Sequence, residues 1–242
     1  RVAHRRPDGH GFRNRDPVSE DGRGGNVDGF GCHPAAGATN NVFRGCRAWF
    51  NSDDGFDCIN ARESVTFDRC WAFCNGFSPE FKSLADGNGF KAGGYGSTPA
   101  DRLPATIPRH AVLNCLAASN KASGFYANHH PAGCDWLANQ AYRNTINFNL
   151  LGRLADNRTD VPGRGHVLRN NFAFKGRTDI GNIDTNACVL SDNQFGADRL
   201  WKESDFQTTD VAALASPRGA DGALPEVGFL ALKRPCRGAP QK

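Results

Sequence analysis

Short apolar stretches with period-two alternation recur along the chain, always in the same order. VFRGCRAWFN (42–51), TFDRCWAFCN (66–75), VLNCLAASN (112–120), WLANQAYRN (136–144), VLRNNFAFKG (167–176) and VLSDNQFG (189–196) share one pattern. Each has a small or amide residue, one intervening residue, then a small apolar one, replaced by Phe in the last copy. The first position falls at Cys46, Cys70, Cys115, Asn139, Asn171 and Asn193, at intervals of 24, 45, 24, 32 and 22 residues. The second falls at Ala48, Ala72, Ala117, Ala141, Ala173 and Phe195, and Asn51, Asn75, Asn120 and Asn144 follow three residues after the alanines. A further column is Gly-Phe, at Gly29-Phe30, Gly55-Phe56, Gly89-Phe90 and Gly124-Phe125, with Asn147-Phe148 as its variant.

These columns predict an all-β parallel β-helix (a solenoid) in which every turn contributes the same inward residues. Stacked turns lie at the strand spacing of roughly 4.8 Å, so equivalent positions form ladders. Phe and the small residue two places on (Cys32, Cys58, Ala92, Ala127, Leu150) share strand parity and are expected inward, with Gly and its own i+2 partner outward. A buried Asn at each turn can satisfy itself on the turn backbone and on the next Asn. The two long intervals imply inserted loops at about 76–88 and 152–164, both rich in turn-forming residues. A β-sandwich would not repeat the pattern six times by coincidence. The β-helix is expected to run over residues 1–205. The tail, 206–242, holds Thr208-Thr209-Asp210 before VAALA, which resembles a capped short helix, then Pro217, Pro225 and Pro235. Its expected task is to cover the exposed last edge of the coil.

Composition agrees with turns and short strands: 28 Gly, abundant Asn and Asp, and five Glu. The net charge of +4 is spread without a Lys/Arg run, so no nucleic-acid footprint is present, and a basic surface would favour an acidic polymer. No apolar stretch approaches membrane-spanning length. Nine Cys without a C-x-x-C pair fit neither zinc spacing nor a complete disulfide framework, and those in the columns read as small inward hydrophobes. Cys74 and Cys236 lie outside the columns. The chain opens Arg-Val-Ala-His and holds no Met, so it is expected to be a processed or incomplete piece.

The chemistry concentrates in NSDDGFD. Asp28 stands one turn before Asp54, both preceding the column glycine, and Lys91 stands one turn after Asp57. Stacking therefore brings Asp28, Asp53, Asp54, Asp57 and Lys91 into one patch, provided the chain bends at 52–54. Four close carboxylates repel unless a cation sits among them, and an oxygen-only donor set in irregular loops suits Ca²⁺. Taken alone, Asp-Asp-Gly is an ordinary turn and Lys91 a solvated charge; the register across three turns distinguishes them. Tyr126 and Asn149 continue the outward column and could line subsites for a ligand. Arg109, Arg143 and Arg153 could pair with carboxylates of an acidic ligand, and Arg143 is retained as a candidate. His129 and His130 are adjacent and point different ways, which favours structural hydrogen bonds over metal ligation. Asp86 lies in a turn-like ADGNG and reads as structural.

NVDGFGCH, NVFRGCRAWFNSDDGFDCINA and ADGNGFKAGGYG closely resemble the family nine polysaccharide lyases, which include pectate lyases. The similarity continues through GFYANHHPAGCDWLANQAYRNTINFNLLG to about residue 230. The resemblance implies a right-handed parallel β-helix with an Asn ladder, Ca²⁺ held by Asp28, Asp53, Asp54 and Asp57, and Lys91 as catalytic base. It implies β-elimination on an acidic polysaccharide, here a polyuronate. The expected protein is a secreted, extracellular or periplasmic monomer, with neither nucleic acid nor membrane as partner. The family's early turns and capping element are not recognisable before residue 28, and several Cys stand where Tyr or Leu is expected. Two other readings are carried: a non-catalytic, calcium-stabilised glycan-binding β-helix, which has no need of Lys91, and a β-helical glycoside hydrolase with two carboxylates.

Overall fold

Inward-facing columns bury themselves only if successive turns stack in register, and that requirement sets the architecture. The computed structural model describes residues 3–5, 11–16, 22–196 and 200–233, the first two strands as backbone only. Three parallel sheets run side by side along a right-handed coil, each turn giving one strand to each sheet. The first sheet contains Ala3–Arg5, Asn41–Arg44, Val65–Asp68, Ala111–Leu113, Asp135–Leu137, Val167–Arg169 and Val189–Ser191. The second contains Gly11–Phe12, Arg47–Trp49, Trp71–Phe73, Leu116–Ala118, Gln140–Tyr142 and Phe172–Phe174. The third, which bears the chemistry, contains Phe30–Gly31, Phe56–Asp57, Phe90–Lys91, Ser123–Tyr126, Ile146–Asn149 and Thr178–Gly181.

Register follows the columns. Ala48, Ala72, Ala117, Ala141 and Ala173 pair in sequence and are fully buried. Phe30, Phe56, Phe90, Phe125 and Phe148 stack ring on ring at 5.0, 4.8, 5.2 and 4.8 Å. That spacing is the strand spacing itself, so the aromatic column fits the coil without bending it. Four of these rings are fully buried, each contributing about 1.5–3 kcal/mol by burial. Cys32, Cys46, Cys58, Cys70 and Cys115 are buried free thiols within this core, and Cys74 is buried and free as well. Cys236 and Pro235 lie outside the described residues.

At the corner between the second and third sheets, Asn51 Nδ2 donates to Asn75 Oδ1 at 2.8 Å. Asn75 repeats this to Asn120 at 2.9 Å, and Asn120 to Asn144 at 3.0 Å. A second ladder holds the corner between the first and second sheets. There Asn139 donates to Asn171 at 3.1 Å and Asn171 to Asn193 at 2.9 Å. In the earlier turns of that corner Cys stands in the same column, and the Cys70 N–H points at Cys115 Sγ at 3.3 Å.

Three local features depart from the sequence reading. The column glycines do not face outward. A Cβ on Gly55 would lie 2.8 Å from Asn75 Nδ2 and 2.7 Å from the Gly89 carbonyl, so the position closes on the ladder and only hydrogen fits. Of the inserted loops, 152–164 forms a small antiparallel hairpin, Gly152–Arg153 against Asp160–Val161. The extra length between Cys70 and Cys115 is divided: part lies at 76–88, as expected, and part lies unannounced between Lys91 and Ala111, where a 3₁₀ turn occupies Ala100–Arg102.

The chain divides into two compact units, Arg1–Ala197 and Asp198–Lys242. In the second, Val211–Ala215 is a short 3₁₀ helix whose cap Asp210 accepts the Ala212 N–H, and Leu214 is buried.

Candidate metal and lysine site

Residues 52–53 bend, as the opposite parity of Asp53 and Asp54 requires. The bend turns both carboxylates toward Asp28. Among the described residues, one set of metal-ligating side chains lies close enough to hold an ion. It is Asp28, Asp53 and Asp54, whose carboxylate oxygens lie within 4.8 Å of one another. Asp53 and Asp54 are buried, and Asp28 is half-buried. Asp53 is set by backbone amides from two loops, Asn26 N–H to Oδ2 at 2.7 Å and Asp86 N–H to Oδ1 at 2.9 Å. Asp54 Oδ1 accepts from the Asn88 N–H at 2.6 Å and from Asn88 Nδ2 at 2.9 Å.

Asp57 and Lys91 are register partners on the third sheet, as expected. Lys91 Nζ lies 3.1 Å from Asp54 Oδ2 and 3.2 Å from Asp57 Oδ2, and its side chain is 11% exposed. Asp57 therefore joins the group through Lys91 rather than through the three-carboxylate set. Asp57 Oδ1 accepts the Ile59 N–H at 2.6 Å. Asp54 Oδ2 is fully buried and, apart from this ion pair, has no hydrogen bond of good geometry.

Burial pushes the Asp28 carboxyl up to about 7, and the charges of Asp57 and Asp53 add to the rise. Burial also raises Asp54 and Asp57, against the pull of Lys91. For Lys91 burial works downward, but Asp54 and Asp57 outweigh it and hold the ammonium charged. In the metal-free protein Lys91 is thus the counter-ion of the cluster. Its pKa can fall only once another cation takes over those carboxylates. The donor set fits a hard cation: three clustered carboxylates, oxygen only, with one buried oxygen lacking a hydrogen bond.

Beside this cluster opens a pocket of about 280 Å³, lined by Arg23, Asn26, Asp53, Asp86, Lys91 and Lys121 among others. The sequence reading had singled out neither Arg23 nor Lys121. Lys121 Nζ donates to the Leu84 carbonyl at 2.6 Å and to that of Ala85, tying the 76–88 loop to the next turn. Its signal was its place directly after Asn120 of the ladder, a position that emerges at the corner.

Tyr126 pairs with Lys91 and Asn149 with Tyr126, continuing the outward column. The Tyr126 ring meets the His129 ring edge to face at 5.9 Å, and Asn149 Nδ2 donates to Ser123 Oγ at 3.2 Å. Arg143 is exposed at the turn after Gln140–Tyr142, its guanidinium 5.4 Å from the Tyr142 ring centre, and does not line the pocket. Arg109 binds Asp135 at 2.7 Å, and Arg153 binds Asp160 at 2.8 Å. His129 also contacts Asp160, whereas His130 is buried and accepts the Gly94 N–H, so the two rings do diverge.

The family model described as the Pel9A-like, right handed beta helix region matches residues 8–176. Pectate lyase L of Dickeya chrysanthemi is 31% identical over 91% of this chain and 47% of its own length. The pectate lyase PEL9 of Emericella nidulans is 31% identical over 90% of the chain and 53% of its own. Among solved structures, a rhamnogalacturonan lyase superposes with a TM-score of 0.86 at 42% identity, covering 96% of this chain and 57% of that one. The pectate lyase Pel9A superposes with a TM-score of 0.73 at 28% identity, covering 96% and 52%. The chain thus spans about half the length of the relatives it matches. A coil in three parallel sheets, an internal Asn ladder and a matching profile over most of the sequence agree, and the chain belongs to the Pel9A-like right-handed β-helix family.

Proposed function

We propose that this chain is the β-helical catalytic part of a calcium-dependent polysaccharide lyase that cleaves a uronate polymer by β-elimination. The observation that carries the reading is Lys91, held by Asp54 and Asp57 at the edge of an open pocket, with Asp28 and Asp53 clustered around that same Asp54. Asp28, Asp53, Asp54 and Asp57 would hold the ion. A bound Ca²⁺ would supply positive charge that competes with Lys91 for its carboxylate partners and withdraws electron density from a uronate carboxylate. Lys91, once neutral, removes the C5 proton of the sugar. The C4–C5 double bond forms as the C4–O4 bond breaks, and the departing oxygen takes a proton from water. Tyr126 and Asn149 follow Lys91 along the same column and are the residues we assign to neighbouring sugar subsites.

Relatives are named for pectate, and a structural neighbour is named for rhamnogalacturonan. The higher identity and TM-score of the latter favour a second reading, that the uronates of a rhamnogalacturonan backbone are the substrate. Action on such a polymer implies export from the cell. Among the described residues no helix is long and apolar enough to cross a membrane. Incubation with polygalacturonate and with rhamnogalacturonan, followed by ultraviolet absorbance of the unsaturated product, tests the proposal. Absorbance that appears with calcium and vanishes with a chelator is expected. A reducing end without absorbance would point to a glycoside hydrolase, and binding without cleavage to a glycan-binding β-helix.

A further inference from the structure

Where the chain enters the third sheet, one column runs through four consecutive turns as Asp28, Asp54, Asn88 and Ser123, each directly before its column glycine. Its members are linked the same way at every step. The Asp54 N–H donates to Asp28 Oδ1 at 3.0 Å, the Asn88 N–H to Asp54 Oδ1 at 2.6 Å, and the Ser123 N–H to Asn88 Oδ1 at 3.0 Å. The first two acceptors are carboxylates and the third is an amide. A donor thus stands where a third carboxylate of the series would be. Asn88 Nδ2 turns back to Asp54 Oδ1 at 2.9 Å, so that oxygen receives two hydrogen bonds from one residue. The other, Oδ2, is left facing Lys91 Nζ.

We propose that Asn88 is a positioning residue of the site: its carboxamide fixes the rotation of the Asp54 carboxylate so that Oδ2 is presented to the cation and to Lys91. The inference rests on the functional reading above. The orientation of the amide is itself determined. Its oxygen must accept from the Ser123 N–H, so its nitrogen must face Asp54, and a flip would oppose carbonyl to carboxylate. Asn88 is buried. It also stands three residues before Lys91, so one segment of one turn grips Asp54 from both ends.

The test is calorimetric titration of Ca²⁺ into the wild type, Asn88→Ala, Asn88→Ser and the control Asn171→Ala, which removes a buried ladder amide at the other corner. Loss of an outer partner of a ligand typically costs 10–100-fold in metal affinity, so both Asn88 variants should weaken Ca²⁺ binding by about that factor. The Asn171 control should bind as the wild type does, although its melting temperature falls. Serine is what the next turn carries in this column and retains an acceptor for the Ser123 N–H, so Asn88→Ser guards against loss of fold. A variant that folds only with calcium reports the same loss as a folding midpoint at higher Ca²⁺ concentration. A folded Asn88 variant binding within about twofold of wild type, or equal weakening in the control, overturns the assignment. A wild type that binds no Ca²⁺ overturns the functional reading itself.

Discussion

Lys91 is pulled two ways, and the balance decides what each substitution does. Its ammonium is the positive charge that four crowded carboxylates share, and it occupies Asp54 Oδ2 and Asp57 Oδ2. A cation seeking those oxygens must displace it. Lys91→Ala should therefore lose about 10²–10⁴ in turnover as a general base yet bind Ca²⁺ at least as tightly as wild type, measured by product absorbance and by calorimetry. Its metal-free form should melt lower, because removing one partner of a buried ion pair strands the other, and calcium should close the gap. Lys91→Arg stays protonated and should not restore turnover. Asp28 sets a second dependence. A carboxyl raised from 3.8 to about 7 is protonated in the folded, metal-free protein below about pH 7. Its contribution to stability is complete below pH 3.8, declines as pH rises from 3.8 toward 7, and is gone above about 7. Calcium needs the carboxylate, so its affinity should fall as pH drops below 7, with proton release on binding. Titrations at pH 8 and pH 6 with equal affinity and no proton release would contradict this.

Ladders are where elements acquire their order, and the middle of a ladder matters most. Asn120 donates to Asn144 and to the Ala72 carbonyl, while its Oδ1 accepts from the Asn75 backbone N–H and side chain. Asn120→Ala orphans groups on both neighbouring turns, at about 1–3 kcal/mol for each buried group left unpaired. Several kelvin of lost melting temperature are expected, and more than for Asn193→Ala at the end of the second ladder; equal losses would show that a place in the middle of a ladder adds nothing. These columns were legible in the sequence because a coil repeats them with a fixed side-chain parity, and the same register brought Asp54, Asp57 and Lys91 together. What the sequence did not disclose lies where periodicity stops. Asn88 stands within the turn-like ADGNG, and nothing but its place after Asn120 marks Lys121. Their partners, Asp54 and the carbonyls of 84–85, are fixed by the irregular path of the 76–88 loop. The glycine column was assigned to the wrong face because strand alternation does not survive a corner.

Across the coil as a whole, a third set of side chains staples turns together where the chain returns from the third sheet to the first, and it makes the fold sensitive to acid. His110 and His166 stand in equivalent places just before first-sheet strands. Each offers Nδ1 to a backbone N–H of the preceding turn, Val65 at 3.2 Å and Cys134 at 2.9 Å. His166 Nδ1 also receives the Trp136 indole N–H at 3.2 Å, and His130 spans the Gly94 N–H and the Pro108 carbonyl. All three rings are buried, and neither His110 Nε2 nor His166 Nε2 has a hydrogen-bond partner of good geometry. Burial, reinforced by the neighbouring rings or Arg109, lowers His110 to about 3 and His130 and His166 to about 4. A depressed folded pKa means that the unfolded chain binds protons first. The contribution of each ring is complete above pH 6.5 and is lost as pH falls toward 4. One ring shifted from 6.5 to about 4 forfeits about 3 kcal/mol over that window. Raised carboxyls such as Asp28 work in the opposite direction in the metal-free protein, so the measurement belongs in saturating calcium, where those groups are held ionised. Denaturant unfolding of the calcium-loaded protein should show stability falling steadily from pH 6.5 to 4. His166→Asn keeps an acceptor near Nδ1 without a titrating ring, so it should be less stable at pH 8 but lose less over the same interval. If its stability falls with pH as steeply as that of the wild type, His166 is not one of the groups through which acid opens the coil.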